Sequence, residues 1–370
     1  MSAVEPEKDV LHVVGGRPLN GTIKVRGAKN LVSKAMVAAL LAPGRSVLKN
    51  VPEIRDVQVV SDLLRLHGVS VDVNGDTGEV AIDAHHVEMP AVSDVETLSG
   101  ASRIPILFSG PLLHRLGEAF IPSLGGCRIG DRPIDFHLET LRKLGADVDK
   151  EHEDGIHITA PHGLQGAKIH LPYPSVGATE QTILAAVLAE GKTELSGAAV
   201  EPEIMDLIAI LQKMGAVISV DVDRTIRIEG VRELKGYTHT ALTDRIEVAS
   251  WASAALATRG DVFVKGATQP EMMTFLNIYR KVGGEFDVTD EGIHFWHPGG
   301  DLHAVALETD VHPGFMTDWQ QPLVERHGIL GAATREHAVA QPLGRGAVED
   351  AVLLEHAERV GIEHFGPLVA

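Results

Sequence analysis

At 370 residues, with 44% hydrophobic side chains, the chain is longer than one hydrophobic core usually covers, so two domains are expected. Its formal net charge of −18 argues against a nucleic-acid partner, because phosphate backbones are held by surplus lysine and arginine. A single cysteine excludes an intrachain disulfide and a cysteine zinc cluster. The polar, acidic start over 1–9 and the lack of a run of about 20 apolar residues favour a cytoplasmic protein without a membrane partner.

Internal repeats organise the sequence. Three copies have paired glycines, at 44 and 68, at 191 and 215, and at 260 and 284. Between its glycines each copy has a β-rich run, a turn with proline and a helix, and Leu207, Ile210, Leu211 and Met214 illustrate the helical spacing. Alanine-rich helices are predicted upstream, over 31–41, 179–189 and 246–257. The predicted unit is therefore strand, helix, strand, helix, strand.

A fourth copy, with its glycines at 117 and 145, is longer than the others and contains the single cysteine. Cys127 lies among glycines and next to Arg128 and Arg132, so we expect a flexible loop whose arginines favour the thiolate. Two simpler interpretations stay open. A free cysteine is often a small buried hydrophobe, and a longer loop can arise by drift. The charged, glycine-rich surroundings favour a functional loop instead.

Three further segments precede predicted helices and carry polar side chains. Lys29 follows a predicted strand, where it and the helix N-terminus could hold a phosphate or carboxylate, although this signal alone is weak. Ser175 occupies the corresponding place in another copy and could bind a diphosphate or cap its helix. Asp318 could act as a base or as an N-cap. Each segment therefore keeps a structural alternative.

Several common catalytic motifs are absent from the sequence. There is no phosphate loop of the G-x-x-x-x-G-K-[ST] type, no H-E-x-x-H and no G-x-S-x-G. The 19 histidines show no convincing ligand spacing. We therefore expect neither a metal nor a cofactor.

Seven motifs stand in a characteristic order along the chain. They are Gly27-Ala-Lys29-Asn30, Arg103 before Gly110-Pro111, Gly125-Gly126-Cys127 to Arg132-Pro133, Ser175 to Thr179, Glu201-Pro-Glu-Ile, Asp244-Arg245-Ile-Glu247 and His312 to Asp318. From about Val10 to Val324 the chain resembles the UDP-N-acetylglucosamine 1-carboxyvinyltransferases, a family of enolpyruvyl transferases. The related 5-enolpyruvylshikimate-3-phosphate synthases lack the Gly-Gly-Cys loop, which favours the first family.

The resemblance implies a fold and a reaction. The fold would be a two-domain inside-out α/β barrel of βαβαβ units. The reaction would be transfer of the enolpyruvyl group from phosphoenolpyruvate to the 3-hydroxyl of UDP-N-acetylglucosamine, the first committed step of peptidoglycan synthesis. Phosphate would be released, and no metal is needed if lysine and arginine neutralise the phosphate. A monomer is expected.

The resemblance also implies a role for each matching residue. Cys127, the residue that fosfomycin alkylates in the family, would donate a proton from its mobile loop, and Asp318 would take the proton of the sugar hydroxyl. Lys29, the third residue expected to be catalytic, would bind phosphoenolpyruvate together with Asn30 and Arg132. The expected nucleotide-side contacts are Arg103, Arg132, Pro133, Ile134, Asp135, Phe136, Ser175, Val176 and Gly177.

The family's domain pattern predicts one domain over 29–241 and a second formed by 1–28 with 242–370. The segment 325–370 departs from the family pattern, so the second domain is expected to be incomplete, and no arginine of this tail is assigned a role. Two other functions therefore stay open. One is a nucleotide-sugar-binding or defective paralogue without catalysis, and the other is enolpyruvyl transfer to a different acceptor.

Overall fold

The computed structural model describes residues 15–99, 103–122, 133–149, 155–324 and 335–336. Within these ranges the helices are α1 (Lys29–Ala38), α2 (Arg55–Leu66), α3 (Val92–Ser99), α4 (Pro105–Leu116), α5 (Asp135–Lys143), α6 (Val176–Ala186), α7 (Pro202–Met214), α8 (Arg245–Ala257), α9 (Gln269–Val282) and α10 (Thr317–Val324). A short 3₁₀ helix, Ala39–Leu41, extends α1. The protein is therefore rich in helices that begin after a strand or a polar loop.

The strands of the same ranges alternate with these helices. They are β1 (Asn20–Lys24), β2 (Arg45–Lys49), β3 (Ser70–Asn74), β4 (Glu79–Asp83), β5 (Glu118–Pro122), β6 (Asp147–Asp149), β7 (Gly155–Thr159), β8 (Lys168–His170), β9 (Lys192–Ser196), β10 (Val217–Val220), β11 (Ile226–Glu229), β12 (Thr238–Thr240), β13 (Asp261–Lys265), β14 (Glu285–Thr289), β15 (Gly292–Trp296), β16 (Glu308–Thr309) and β17 (Arg335–Glu336). The predicted mixed α/β class is confirmed.

The repeats predicted from the glycine pairs are present. The alanine-rich helices are α1, α6 and α8, and the amphipathic helices that follow are α2, α7 and α9. Both α7 and α9 end at a glycine in the left-handed conformation, Gly215 and Gly283, each with φ of 110°. Each copy then continues with one more strand than predicted, because the segment after the helix forms an antiparallel hairpin.

Burial explains the two kinds of helix. The inward faces of α2 and α7 carry leucine, valine and isoleucine, whereas α1 and α6 are buried on nearly every side. A helix that is buried on nearly every side lies inside a protein, and the small alanine side chains of α1 and α6 let neighbouring helices approach closely. The alanine-rich segments are therefore the central helices of the fold.

Two strands are exchanged between copies of the repeat. Strand β8 pairs in parallel with β9 of its own copy. Strand β1, which precedes α1, instead pairs in parallel with β13, and β12, which precedes α8, pairs with β2. The sheet orders are consequently β1-β13-β15-β14 and β12-β2-β4-β3. The chain thus crosses over between β1 and α1 and again between β12 and α8.

Two clusters of buried apolar side chains form the interior. The first, which we call the first core, contains residues from Ala28 to Ala241. The second core contains Val25 and residues from Val248 to Leu323. The assignment of 29–241 to one domain, and of 1–28 with 242–370 to another, stays a prediction. No helix in the described part of the chain is long and apolar enough to cross a membrane.

Candidate active site

Most of the predicted site residues that the structure describes lie at the beginning of a helix. Lys29 is the first residue of α1, Asp135 the first of α5 and Asp318 the second of α10. Ser175 is the N-cap of α6. The first N–H groups of a helix have no partner within it and carry partial positive charge, so helix starts suit anionic ligands. These positions are consistent with substrates that carry phosphate and carboxylate groups.

The two crossovers meet at the start of α1. The carboxylate of Asp244, the N-cap of α8, accepts hydrogen bonds from the backbone N–H groups of Ile246 (2.8 Å) and Glu247 (3.1 Å). Its second oxygen accepts the backbone N–H of Lys29, at 2.8 Å. One carboxylate therefore caps α8 and also fixes the first residue of α1.

The side chain of Lys29 is open to solvent. It is 61% exposed, and its Nζ lies 3.3 Å from an oxygen of Asp56, in the first turn of α2. The next residue, Asn30, is half-buried. Because an exposed ion pair contributes little stability, an incoming anion can compete with Asp56 for the ammonium group.

A buried ion pair lies directly beside Asp244. The guanidinium of Arg245 is 2% exposed and donates from Nε and Nη2 to the two carboxylate oxygens of Glu203, at 2.9 and 3.0 Å. Burial raises the pKa of nearby Glu201, and burial together with the charge of Arg245 lowers the pKa of His312. The charged groups at the starts of α7 and α8 therefore interact in a region of limited solvent access.

Asp318 is connected to this pair through its neighbour Trp319. The indole Nε1–H of Trp319 donates to the backbone oxygen of Arg245 at 3.2 Å, and the Arg245 guanidinium lies 5.4 Å from the centre of the Trp319 ring. Asp318 itself is exposed. It is the second residue of α10, so the helix begins two residues earlier than an N-cap role for Asp318 would need. We call Lys29, Asp244, Arg245 and Asp318 the crossover group.

A second set of predicted residues meets around His137, in the first turn of α5. Burial and the charge of Arg103 lower the pKa of His137 to about 4, while the hydrogen bond with Gln181 and the charge of Asp135 act in the opposite sense. A Cβ on Gly177 would lie 3.0 Å from the imidazole, so glycine permits this close approach of α6 to α5. We call Arg103, Asp135, His137 and Gly177 the α5–α6 group.

His137 was not among the predicted site residues. Its Nδ1 is buried and has no hydrogen-bond partner among the residues described, although such groups usually have one. Its imidazole lies on the side of α5 that approaches α6 at Gly177. The signal that could have identified it was its position within the first turn after the Arg132-Pro133 motif.

The first turn of α6 shows the capping role that the sequence left open. The Ser175 hydroxyl accepts the backbone N–H of Ala178 at 3.3 Å, and the Thr179 hydroxyl donates to the Ser175 backbone oxygen at 2.8 Å. Val176 and Gly177 are half-buried. Capping leaves the first backbone N–H groups of the helix available, so diphosphate binding at Ser175 stays a prediction.

The remaining nucleotide-side residues stand at the start of α5. Pro133 is exposed, whereas Ile134 and Phe136 are half-buried and pack against the first core. Cys127 and Arg132 lie outside the described residues, as does nearly all of the tail after Val324. In the ranges described, no group of three or more metal-ligating side chains comes together. The contacts thus join the described site residues into two groups.

A buried pair lies between the helices that carry these groups. Glu180 of α6 is 3.7 Å from the Nζ of Lys34 on α1, and both side chains are largely buried. Burial raises the pKa of Glu180 to about 7, against the opposing influence of Lys34. The protonation state of this carboxyl therefore changes near neutral pH.

Comparisons with known proteins point to one family. Residues 13–335 match the family described as EPSP synthase (3-phosphoshikimate 1-carboxyvinyltransferase). A UDP-N-acetylglucosamine 1-carboxyvinyltransferase from Protochlamydia amoebophila (strain UWE25) is 48% identical over 323 residues, which cover 85% of this chain and 68% of that protein. The corresponding protein of Chlamydia pneumoniae is 42% identical, with 96% of this chain and 74% of that one covered.

A solved structure with the same fold is the enolpyruvyl transferase NikO from Streptomyces tendae. It aligns with a TM-score of 0.77 at 20% sequence identity, over 89% of this chain and 78% of NikO. At this identity the likeness concerns the fold alone. The predicted enolpyruvyl transferase fold is thereby confirmed.

Proposed function

The chain belongs to the EPSP synthase family, and from that premise we propose that it transfers the enolpyruvyl group of phosphoenolpyruvate to the 3-hydroxyl of UDP-N-acetylglucosamine. Inorganic phosphate is the second product. The observation that carries the proposal is the 48% identity, over 85% of this chain, to a relative named for this activity. The product would enter peptidoglycan synthesis, and both substrates would be met in the cytoplasm.

The proposed chemistry needs one proton donor, one base and groups that neutralise phosphate. The 3-hydroxyl oxygen bonds to C2 of phosphoenolpyruvate while C3 gains a proton from Cys127, and Asp318 accepts the hydroxyl proton. The tetrahedral intermediate then returns a proton from its methyl group to the Cys127 thiolate as the C2–O bond to phosphate breaks, and the proton held by Asp318 leaves with the phosphate. The enol is restored, phosphate leaves, and no net oxidation occurs.

The crossover group suits the phosphoenolpyruvate end of this reaction. Lys29 is exposed and stands at a helix start, where its ammonium group forms an ion pair with Asp56. Its ammonium group, with Asn30 beside it and Arg132, would bind the phosphate and carboxylate. Asp318 is exposed, while Trp319 beside it is anchored to Arg245, which supports a base held at a defined position.

The α5–α6 group suits the nucleotide end. Arg103 acts electrostatically on His137, and the starts of α5 and α6 approach each other at Gly177. We assign the diphosphate to Arg103 and the first turn of α6, from Ser175 to Gly177. The uridine is assigned to Pro133, Ile134, Asp135 and Phe136. Two cores joined by the crossovers would let the Cys127 loop close over the bound nucleotide and exclude water.

The test is release of phosphate from phosphoenolpyruvate with and without UDP-N-acetylglucosamine. We expect release that depends on the nucleotide sugar, together with one carboxyvinylated nucleotide per phosphate. Asp318→Asn protein, which retains the helix start, is the matched control and should release far less. Nucleotide-sugar binding without phosphate release would favour the non-catalytic alternative, and release only with another acceptor would reassign the substrate.

A further inference from the structure

A buried side-chain cluster between the two cores connects the proposed base to the start of α1. Glu203, near the start of α7, lies on the side of the first core, whereas Arg245 begins α8 and Trp319 belongs to the second core. Arg245 and Trp319 are each 2% exposed, and Glu203 is 5% exposed. We call Glu203, Arg245 and Trp319 the Arg245 junction.

The contacts of Arg245 on one side are unusually specific. Its guanidinium forms two parallel hydrogen bonds to Glu203, a geometry that fixes both the distance and the orientation of the two side chains. Its Nη1 is buried and has no hydrogen-bond partner in the described part of the chain. A buried charge that keeps one donor unsatisfied is costly, so stability alone explains this residue poorly.

On its other side Arg245 holds Trp319 at two points. The backbone oxygen of Arg245 accepts the indole N–H, and its guanidinium lies over the indole ring. Trp319 also packs against Phe275 and Phe315, with ring centres 5.6 and 5.5 Å away. Because Asp318 is the adjacent residue, the backbone position of the proposed base depends on this anchoring.

The residue before Arg245 makes the connection to Lys29. Asp244 caps α8 with one carboxylate oxygen and accepts the Lys29 backbone N–H with the other. Two consecutive residues therefore contact the proposed phosphate-binding lysine on one side and the neighbour of the proposed base on the other. We infer that the Arg245 junction is a positioning element that sets Asp318 relative to Lys29, an inference that rests on the proposed function.

The experiment compares single variants with an apolar double variant. Arg245→Met or Glu203→Met alone leaves a buried charge, so the singles should be less stable. The double Glu203→Met/Arg245→Met removes both charges and should recover most of that stability, because apolar side chains of similar volume often replace a buried ion pair without loss. Tyr279→Phe is the matched control, since it removes a buried hydrogen bond to the Ala252 backbone oxygen elsewhere in the second core.

If the Arg245 junction positions Asp318, the double variant should regain stability but not kcat. We expect kcat of the folded double variant to stay about 10-fold or more below wild type, with nearly unchanged KM for phosphoenolpyruvate, because misplacement affects the chemical step more than binding. Tyr279→Phe should keep the wild-type kcat. A stable double variant with wild-type kcat would show that the junction only stabilises the fold, and would overturn the inference.

A second measurement does not need activity. Hydrogen exchange of the segment 315–324 should become about 10-fold faster in the double variant, because Trp319 loses the guanidinium that lies over its ring. Exchange in α4 of the first core, which carries none of the junction residues, should stay unchanged. Unchanged exchange at 315–324 would also overturn the inference. If wild-type protein released no phosphate, the proposed function would fail, and the exchange result would still decide whether Arg245 anchors this segment.

Discussion

The crossover group and the α5–α6 group are held in different ways. In the α5–α6 group, His137 and Gly177 lie on neighbouring helices of the first core, and side-chain packing sets their separation. In the crossover group, Lys29 begins a helix of the first core, whereas Asp318 belongs to a helix that packs in the second. Hydrogen bonds through Asp244 and Arg245 connect them. The α5–α6 group should therefore keep its arrangement whenever the first core is folded. The arrangement of the crossover group also requires the second core to keep its position relative to the first.

The largest expected effect is at the proposed base. Asp318→Asn keeps the size of the side chain but removes its ability to accept a proton, so kcat should fall by about 10²–10⁴-fold. Steady-state phosphate release measures it. Asp310→Asn, an exposed carboxylate of the preceding segment, is the control and should resemble wild type. A wild-type rate in Asp318→Asn would remove Asp318 from the mechanism.

The Lys34–Glu180 pair, which lies between the helices of the two groups, gives a pH dependence. Burial raises the pKa of Glu180 to about 7, so the folded protein retains a proton that the unfolded chain releases at lower pH. This contribution to the free energy of unfolding is present below about pH 4.5 and is lost as the pH rises through about 7, by about 3 kcal/mol at most.

Glu180→Gln isolates this contribution from the other titrating groups. Urea unfolding at pH 5 and pH 8 should show the variant gaining stability relative to wild type as the pH rises. Buried histidines with lowered pKa, such as His137, act in the opposite direction at low pH in both proteins and cancel in the difference. A difference that does not change with pH would mean that Glu180 titrates normally.

Removing the helix cap at Asp244 should lower the free energy of unfolding more than removing the cap at Ser175. Asp244→Ala removes the cap of α8 and the acceptor for Lys29, and should lower the free energy of unfolding by about 2 kcal/mol. Ser175→Ala removes one longer hydrogen bond to Ala178 and should cost about 0.5–1 kcal/mol. Urea unfolding of both variants provides the comparison. Equal losses would contradict the double role of Asp244.

A similarly small effect is expected at the contact between α5 and α6. In Gly177→Ala the new methyl group would lie 3.0 Å from the His137 ring and displace it, at a cost of about 1 kcal/mol. We expect weaker binding of UDP-N-acetylglucosamine and unchanged binding of phosphoenolpyruvate in a fluorescence or calorimetric titration. A variant that binds both ligands normally would show that this contact does not shape the nucleotide end.

Much of the architecture followed from the sequence. Glycine pairs and helical spacing predicted α7, α9 and the alanine-rich helices, because backbone conformation and burial leave clear local signals. Two features did not follow from such signals. The additional strand of each copy depends on hairpin pairing, and the exchange of β1 and β12 depends on contacts between residues far apart in the chain.

The residues of the candidate site also divide into those with a local sequence signal and those whose roles depend on contacts between distant residues. Lys29, Ser175 and Asp318 could be identified because each stands at a predicted helix start with a ligand-like side chain. His137 could not, since its significance comes from burial beside Gly177 and from the charge of Arg103. The role of Asp244 in fixing Lys29 also depends on a contact across the crossovers.

The most direct test is calorimetric titration of both substrates into Lys29→Ala and Arg103→Ala proteins, with Lys49→Ala as an exposed-lysine control. Two separately held groups predict a crossed pattern. Lys29→Ala should weaken phosphoenolpyruvate, by about 10-fold or more, and leave the nucleotide sugar nearly unaffected, while Arg103→Ala should do the reverse. Equal losses for both ligands in both variants would contradict the division of the site into two groups.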